Sequence, residues 1–248
     1  MCFFAFNNFG ELILINRENC IVKIIGLRKV YKIAKEKVVA LNKIDLEIPK
    51  GEICCVLGTS GSGKSTLLNM MAGLERPTKG EVYINGHSIS SMSEKQLASL
   101  RRKYVGFIFQ SYNLLPALTA LENVALPLVF RGVPKFKRNI IAKKMIKNVG
   151  LSSRIKHKPS EMSGGQQQRA GIARAFAAKP MLVFADEPTG NLDSKTTTEI
   201  MEMMVKIARD YKQTLIIVTH DQSVASYADR IITLVDGNII SDSLVKKS

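Results

Sequence analysis

EICCVLGTSGSGKST, residues 52–66, joins a short apolar run to a glycine-rich segment. The glycine-rich part fits the pattern G-x-x-x-x-G-K-[ST], and STLLNMMAGL after it has the spacing of a helix. In such a loop the glycines let successive backbone N–H groups face one anion, and the helix N-terminus adds positive potential. The sequence therefore predicts an α/β fold with a nucleotide-binding loop. Its predicted members are Gly58, Thr59, Ser60, Gly61, Ser62, Gly63, Lys64, Ser65 and Thr66.

Two further apolar runs, MLVFA ending at Ala185 and TLIIVT ending at Thr219, have the composition of buried parallel strands. In open α/β sheets, ligands bind beyond the carboxyl ends of the strands. We therefore expect functional residues directly after Leu57, Ala185 and Thr219. Within the loop, Lys64 is expected to reach the β and γ oxygens of the nucleotide, and Ser65 to ligate Mg²⁺.

Acidic and imidazole side chains follow the second and third runs. Asp186 is placed to hold Mg²⁺, and Glu187 to accept a proton from the water that attacks the γ-phosphorus or to orient that water. We expect their strand to lie beside the phosphate loop. The alternative is an acidic pair at a helix N-terminus, with Pro188 opening the helix. His220 follows the third run, where a ring nitrogen could contact the γ-phosphate.

A pair of glycines opens another predicted helix, in SEMSGGQQQR, residues 160–169. Glycine weakens a helix, so its presence in the first turn indicates that bare backbone amides are needed there. Ser163 can cap the helix with Gln166 as its capping-box partner, leaving the N–H groups of Gly164 and Gly165 available to an anion. The alternative is an ordinary capped helix with a mobile start.

Composition limits the classes of partner. The 248 residues carry 36 Lys and Arg against 21 Asp and Glu, a net charge of +15, which favours a nucleotide, a nucleic acid or a membrane surface without choosing among them. The four cysteines have no C-x-x-C spacing, so we expect reduced thiols in a cytosolic protein. No run approaches the roughly 18 apolar residues that cross a bilayer, so any membrane role is expected to be peripheral.

The chain is predicted to form one domain over residues 21–245, after an extension at residues 1–20. Short β-rich segments from Ile21 to Glu52 and at Glu81–Gly86 indicate an antiparallel sheet. The extension lacks the basic start of a secretory signal. We expect either a poorly ordered extension or a translation start that was wrongly assigned to an upstream codon. Its phenylalanines, Phe3, Phe4, Phe6 and Phe9, offer contact with a membrane or partner as the alternative.

The order and spacing of these motifs resemble those of ATP-binding cassette (ABC) transporter ATPases, over about residues 21–245. The resemblance is carried by the phosphate loop, GFIFQSYNLLP, SGGQQQR, FADEPTGNLD and VTHD. NLLPALTALENVALPL, HKPSEMSGGQQQRAGIARA and PTGNLDSKT are similar to the group that energises lipoprotein-release, macrolide-export and cell-division-type permeases. The resemblance implies a P-loop NTPase (RecA-like) core with a parallel sheet, an antiparallel β subdomain and a helical subdomain inserted at about residues 111–162.

The resemblance also implies a head-to-tail dimer that binds ATP and Mg²⁺ between two copies. The signature of one copy, comprising Ser163, Gly164, Gly165 and Gln166, would cap the nucleotide held by the phosphate loop of the other. Tyr31 would stack on adenine, and Gln110 would complete the Mg²⁺ shell and sense the γ-phosphate. Asp193 would connect the two active sites across the dimer.

The predicted helical insertion is strongly basic. Residues 123–160 contain no Asp or Glu. Their basic residues are Arg131, Lys135, Lys137, Arg138, Lys143, Lys144, Lys147, Arg154, Lys156 and Lys158. In the family that it resembles, this arm touches the membrane partner. Two interpretations stay open: a solvated helical face, or proximity to anionic lipid headgroups.

Three functions compete. The first is an ATP-hydrolysing subunit at the cytoplasmic face of the cell membrane that energises a separate integral permease, with no nucleic acid partner. The second is a soluble ABC ATPase acting on nucleic acid or ribosomes, although such proteins commonly carry two cassettes or a long coiled coil. The third is a regulatory module that uses ATP only as a clamp; the presence of both Glu187 and His220 argues against lost hydrolysis. The sequence does not name the cargo.

Overall fold

The structure, a computed structural model, describes residues 3–6, 12–15, 20–34 and 36–245. Near the start, β1 (Phe3–Phe6) and β2 (Leu12–Ile15) pair antiparallel. The other residues of the predicted N-terminal extension up to residue 19, among them Phe9, lie outside the described residues.

Six strands form the central sheet. They are β5 (Ile53–Leu57), β8 (Val105–Phe109), β9 (Leu182–Asp186), β10 (Thr214–Thr219), β11 (Arg230–Val235) and β12 (Asn238–Leu244). Their order is β12-β11-β5-β10-β9-β8, and every neighbouring pair is parallel except β11 with β12. The three apolar runs are buried parallel strands, as predicted. β9, which carries Asp186, is separated from β5 by β10.

A second, antiparallel sheet packs beside the first. Its strands are β3 (Cys20–Ile33), β4 (Glu36–Pro49), β6 (Lys79–Ile84) and β7 (His87–Ser88), in the order β4-β3-β6-β7. Asn85 and Gly86, at φ values of 46° and 79°, form the tight turn between β6 and β7. The antiparallel sheet is as predicted, but residues 20–49 form two long strands whose register shifts several times, where the sequence suggested several short ones.

Seven α-helices lie within the described ranges. They are α1 (Lys64–Met71), α2 (Glu94–Tyr104), α3 (Ala120–Phe130), α4 (Lys135–Asn148), α5 (Gly164–Ala177), α6 (Ser194–Asp210) and α7 (Gln222–Ala225). α3, α4 and two 3₁₀ turns, Ser152–Arg154 and Pro159–Glu161, occupy the predicted insertion, and both helices pack against α5. Across the described ranges, no helix has the length and apolar character that spanning a membrane requires.

The central sheet has a hydrophobic core on each face. In β5, alternate side chains point to opposite faces, so Ile53 and Cys55 pack with α3, α5 and α6, while Cys54 and Val56 pack with α1 and the antiparallel sheet. The adjacent cysteines are therefore divided between the two cores. Both are free, fully buried thiols, and burial raises the pKa of Cys55 to about 12. They act as small apolar side chains.

We predict that Phe184→Ala lowers the free energy of unfolding by about 3–5 kcal/mol, because it leaves a cavity in a sealed core. Phe184 is fully buried in β9, and its ring centroid lies 5.7 Å from that of Phe107. Phe136→Ala is the control, since Phe136 is 77% exposed, and should change stability by less than about 0.5 kcal/mol. Urea denaturation measures both. Equal losses would contradict the placement of Phe184 in the core.

Candidate nucleotide-binding site

Strand register brings the predicted site residues to one edge of the central sheet. Leu57 pairs with Thr219, and Asp186 pairs with both Val218 and Phe109. The last residues of β5, β10, β9 and β8 are thus level with one another. The segments that leave this edge begin at Gly58, Gln110, Glu187 and His220.

The phosphate loop needs glycine for two separate reasons. Gly61 and Gly63 have φ values of +81° and +100°, which L side chains rarely adopt. At Gly58 the reason is space, because a Cβ there would lie 2.3 Å from the carbonyl oxygen of Leu234. Gly63 caps α1 without a side-chain acceptor, so the first-turn N–H groups of α1 are not covered by a capping side chain. Backbone N–H groups in a loop of this kind can face a bound anion.

Lys64 crosses this loop. It is only 7% exposed, and its Nζ donates a 2.7 Å hydrogen bond to the carbonyl oxygen of Thr59. The Ser62 N–H also donates to that oxygen, over 3.3 Å. The Thr59, Ser60 and Ser65 residues are exposed at the mouth of the loop. A buried ammonium group thus lies where phosphate oxygens would enter.

Asp186 has the environment of a side chain that binds a cation. Its Oδ1 is buried without a hydrogen-bond partner, which is costly for a carboxylate. Desolvation raises the pKa of this carboxyl group, the charge of Glu187 raises it further, and Lys64 opposes the shift. A carboxylate oxygen, the Ser65 hydroxyl and the Gln110 amide form an oxygen-donor set of the kind that Mg²⁺ prefers. The residues therefore fit the predicted metal.

Gln110 is held by a reciprocal contact with Asn191. The Nε2 of Gln110 donates to Asn191 Oδ1 over 3.4 Å, and Asn191 Nδ2 donates to the Gln110 carbonyl over 3.1 Å. A Cβ at Gly190 would lie 2.8 Å from the same Nε2. The segment after β9 therefore positions the predicted γ-phosphate sensor, and glycine at 190 makes room for it.

Glu187 is fixed in both backbone and side chain. It has a φ of +43°, an unfavourable value for a residue other than glycine, and its N–H donates to the Val218 carbonyl over 2.9 Å. Its Oε1 lies 2.9 Å from Nδ1 of His220, and its Oε2 accepts a 3.3 Å hydrogen bond from the Thr219 hydroxyl. The structure thus pairs two of the predicted catalytic residues. Contact of His220 with a γ-phosphate stays a prediction.

The signature helix α5 starts with the predicted capping box. The Ser163 hydroxyl accepts from the Gln166 N–H at 3.4 Å, and Gln166 Oε1 accepts from the Ser163 N–H at 3.1 Å. Gly164 also has a close neighbour within the chain. A Cβ at Gly164 would lie 2.8 Å from the Tyr112 hydroxyl, so this position is crowded from within the chain. The sequence alone suggested only an approach from outside.

Arg174 and Tyr112 were not predicted as site residues. Arg174 is half-buried in α5, where desolvation lowers its pKa, and its guanidinium donates to the carbonyl oxygens of Tyr112 and Asn113. Both of these residues have positive φ, 60° and 48°. Asparagine tolerates that conformation and gives a weak signal in the sequence, whereas tyrosine gives none. This contact ties the segment after Gln110 to the signature helix.

Asp193 and Tyr31 are described, but their predicted roles stay predictions. Asp193 caps α6, and hydrogen bonds from the N–H and hydroxyl of Thr196 lower its pKa. Tyr31 is half-buried in β3, its hydroxyl donates to Glu75 over 2.7 Å, and the ammonium of Lys29 lies 4.9 Å from its ring centroid. Adenine stacking would have to use the ring face opposite Lys29.

We predict that Asp186→Asn stabilises the protein without nucleotide or metal at pH 7. The pKa of Asp186 is raised on folding, so ionisation penalises the folded state once the pH rises above the ordinary value of 3.8. The penalty is complete above the folded pKa and absent below 3.8. The thermal midpoint of the variant should exceed that of the parent at pH 7, and the difference should shrink as the pH falls toward 3.8.

Thermal unfolding in the presence of a chelator measures this difference. Asp236→Asn, in the exposed turn between β11 and β12, controls for the loss of one negative charge and should show no such pH-dependent gain. A destabilised Asp186→Asn protein at pH 7 would contradict the orphaned-carboxylate interpretation.

Comparison with known proteins agrees with this geometry. The family model described as ABC transporter matches residues 41–190. The lipoprotein-releasing system ATP-binding protein LolD of Geobacter metallireducens is 44% identical over 222 residues, 90% of this chain and 99% of that protein. The macrolide export ATP-binding/permease protein MacB of Vibrio parahaemolyticus is 46% identical over 224 residues, 90% of this chain. Because the match covers 34% of MacB, the chain spans about a third of that protein.

Among solved structures, a dimeric post-hydrolysis state of the ATP-binding cassette MJ0796, bound to ADP and Pi, superposes with a TM-score of 0.85. It is 42% identical, and the match covers 92% of this chain and all of that one. The family match, the relatives above 40% identity and the motifs gathered at the sheet edge lead to one conclusion. The chain belongs to the ABC transporter family, as an ATP-binding subunit.

Proposed function

We propose that this chain hydrolyses ATP as the nucleotide-binding subunit of a transporter and energises a separate membrane permease. The observation that carries the proposal is the meeting, at one sheet edge, of the phosphate loop, the orphaned Asp186 carboxylate and the Glu187–His220 pair. The relatives support the coupling to transport: LolD is named as part of a lipoprotein-releasing system, and MacB as an export ATP-binding and permease protein.

Binding uses groups that the fold already presents. The backbone N–H groups of the loop and the N-terminus of α1 would receive the phosphates, and Lys64 would exchange its contact with Thr59 for one with phosphate oxygens. Asp186, Ser65 and Gln110 would hold Mg²⁺. When bound, the ion would neutralise phosphate charge and polarise the bond that breaks.

Glu187 is the group placed to act as the base. Its carboxylate would take a proton from water as the water oxygen attacks the γ-phosphorus, and the bond from that phosphorus to the bridging oxygen of ADP breaks. The products are ADP and inorganic phosphate. His220 and Thr219 orient the two oxygens of Glu187, so the base is positioned before the water arrives. A fixed base of this kind reduces the reorganisation needed for reaction.

We propose that two copies join head to tail, with the signature of each closing on the nucleotide of the other. In the capping box, the backbone donors are the N–H groups of Ser163 and Gln166, not those of Gly164 and Gly165. Two amides and the N-terminal dipole of α5 remain for a γ-phosphate from outside. The dimeric MJ0796 cassettes support an assembly of two.

The surface for the permease is proposed to be a groove of about 750 Å³ between the sheet core and the helical insertion. Phe107, Leu126 and Phe130 contribute apolar lining, and Arg101 and Arg102 contribute positive charge. A groove with an apolar floor and a basic margin suits a short amphipathic segment of a membrane protein. Docking there would hold the subunit at the cytoplasmic face of the membrane as a peripheral component.

We predict that Glu187→Gln retains ATP binding and accumulates an ATP-loaded dimer, while hydrolysis falls by about a hundredfold or more. The amide preserves size but cannot accept the proton. Phosphate release measures turnover, and size-exclusion chromatography with light scattering measures the dimer. Glu202→Gln, an exposed change on α6, is the matched control and should keep the parental rate. Near-normal turnover in Glu187→Gln would remove Glu187 from the role of base.

We predict that Ser163→Arg abolishes ATP-driven dimerisation but leaves nucleotide binding to the monomer intact. The bulky cation would cover the signature amides, which lie outside the phosphate loop of the same chain. The test introduces Ser163→Arg into the hydrolysis-blocked Glu187→Gln protein, and analytical ultracentrifugation with ATP follows the dimer. Ser160→Arg, exposed three residues earlier, adds the same charge and should still dimerise. If the Ser163→Arg protein dimerised with ATP as tightly as the parent, the signature would not be the part that closes on the nucleotide of the other copy.

A further inference from the structure

The helical insertion exposes a group of large apolar side chains, the apolar tip, comprising Val129, Phe130, Phe136 and Ile140. Phe136 is 77% exposed, Phe130 62% and Ile140 53%. They come from the end of α3 and the first half of α4, which adjoin across a four-residue turn. A cluster of exposed phenylalanines on an otherwise basic subdomain indicates a surface that is covered in the assembled state.

Five of the six basic side chains of α4 are exposed, and the sixth, Arg138, is half-buried. The exposed ones are Lys135, Lys137, Lys143, Lys144 and Lys147. Within residues 20–34 and 36–245, no ion pair joins any of these five lysines to a carboxylate. The acids that flank the segment are engaged in helix caps: Glu122 accepts from the Thr119 N–H, and Glu161 from the Lys158 N–H. The positive charge is therefore available to an external anion.

One face of α4 combines both properties. Phe136, Ile140, Lys143 and Lys147 recur at helical spacing and are all exposed. The opposite face, with Ala142, Met145 and Ile146, is buried against the subdomain. The exposed face thus changes from apolar near the tip to cationic toward the end of the helix. Projecting Phe and Ile side chains can enter the headgroup boundary of a bilayer, and lysines are attracted to its anionic lipids, although here the two kinds of residue follow one another along one face.

We propose that the exposed face of α4 and the apolar tip together contact the anionic surface of the bilayer. The inference rests on the proposed function, because a subunit docked on a permease is held close to the membrane. Phe130 belongs both to the tip and to the lining of the groove, so the two surfaces are continuous. Lipid suits this surface better than nucleic acid does: phosphates attract the lysines in either case, but only a bilayer also receives projecting Phe and Ile side chains.

The test uses the full chain, without permease, and two kinds of vesicle. One contains equal parts phosphatidylcholine and phosphatidylglycerol, and the other phosphatidylcholine alone. Co-sedimentation should show binding to the anionic vesicles, little binding to the neutral ones, and a loss of binding as salt screens the lysines. Each basic contact near such a surface changes affinity roughly fivefold. The triple reversal Lys143→Glu, Lys144→Glu and Lys147→Glu should therefore lower affinity by about a hundredfold.

Two further variants separate local contact from net charge. Phe136→Ser with Ile140→Ser keeps the charge and should also lower affinity, because the apolar contribution is lost. Lys32→Glu, Lys37→Glu and Lys206→Glu make the same charge change on exposed residues outside the insertion, and should retain most of the binding. None of these residues belongs to the nucleotide site, so ATP hydrolysis without permease should match the parent in every variant.

Two outcomes would overturn the inference: no binding to anionic vesicles, or equal losses in the two lysine triples. The first would assign the surface to a protein partner. Each of these outcomes leaves ATP hydrolysis unchanged, whereas failure of the proposed function would appear as absent hydrolysis whatever the vesicle. The two failures are thus distinguishable.

Discussion

Parallel pairing of β8, β9, β10 and β5 is the constraint on which the site depends. Its register ends all four strands at one level, with Leu57 opposite Thr219 and Asp186 opposite Val218. The phosphate loop, the acidic pair and His220 are far apart in the sequence. Interactions between residues that are close in sequence therefore cannot bring them together, and the pairing of the strands does so. A slip of a single residue would turn each inward side chain of a strand to the other face, so the two cores enforce the register. Packing in the interior thereby determines geometry at the edge.

The same edge contains the local features that cost stability. Asp186 has a buried oxygen without a partner, Glu187 has a positive φ, and the loop concentrates glycines. Each feature is unfavourable in the protein alone, and each corresponds to a group that we propose binds there. Asp186 would bind a cation, the loop would bind a phosphate, and Glu187 would bind a water molecule. Sealed cores on both faces of the sheet offset these costs. Binding is therefore expected to relieve the site electrostatically as well as to occupy it.

Local patterns account for what the sequence could predict. The phosphate loop is encoded by glycines at fixed spacing, the buried strands by continuous apolar runs, and the capping box by Ser163 and Gln166 three residues apart. Each signal lies within a few residues. The position of β10 between β5 and β9 depends on contacts between distant segments, and no local sequence pattern predicts it. The same holds for the length of β3 and β4, whose bulges allow charged and small residues within long strands.

The contact between Arg174 and the segment after Gln110 shows most clearly why part of the site escaped prediction. Residues 112 and 174 are 62 positions apart, and nothing near either one signals the other. Their contact nonetheless joins the segment after the predicted γ-phosphate sensor to the signature helix, because Tyr112 lies two residues after Gln110 and its carbonyl oxygen accepts from the Arg174 guanidinium. A side chain at position 164 would also require the Tyr112 side chain to shift, because a Cβ there would lie 2.8 Å from its hydroxyl. A displacement of the segment after Gln110 would therefore act on the last turn of α5, where Arg174 lies, and, through α3 and α4 packed on that helix, on the surface proposed for the permease.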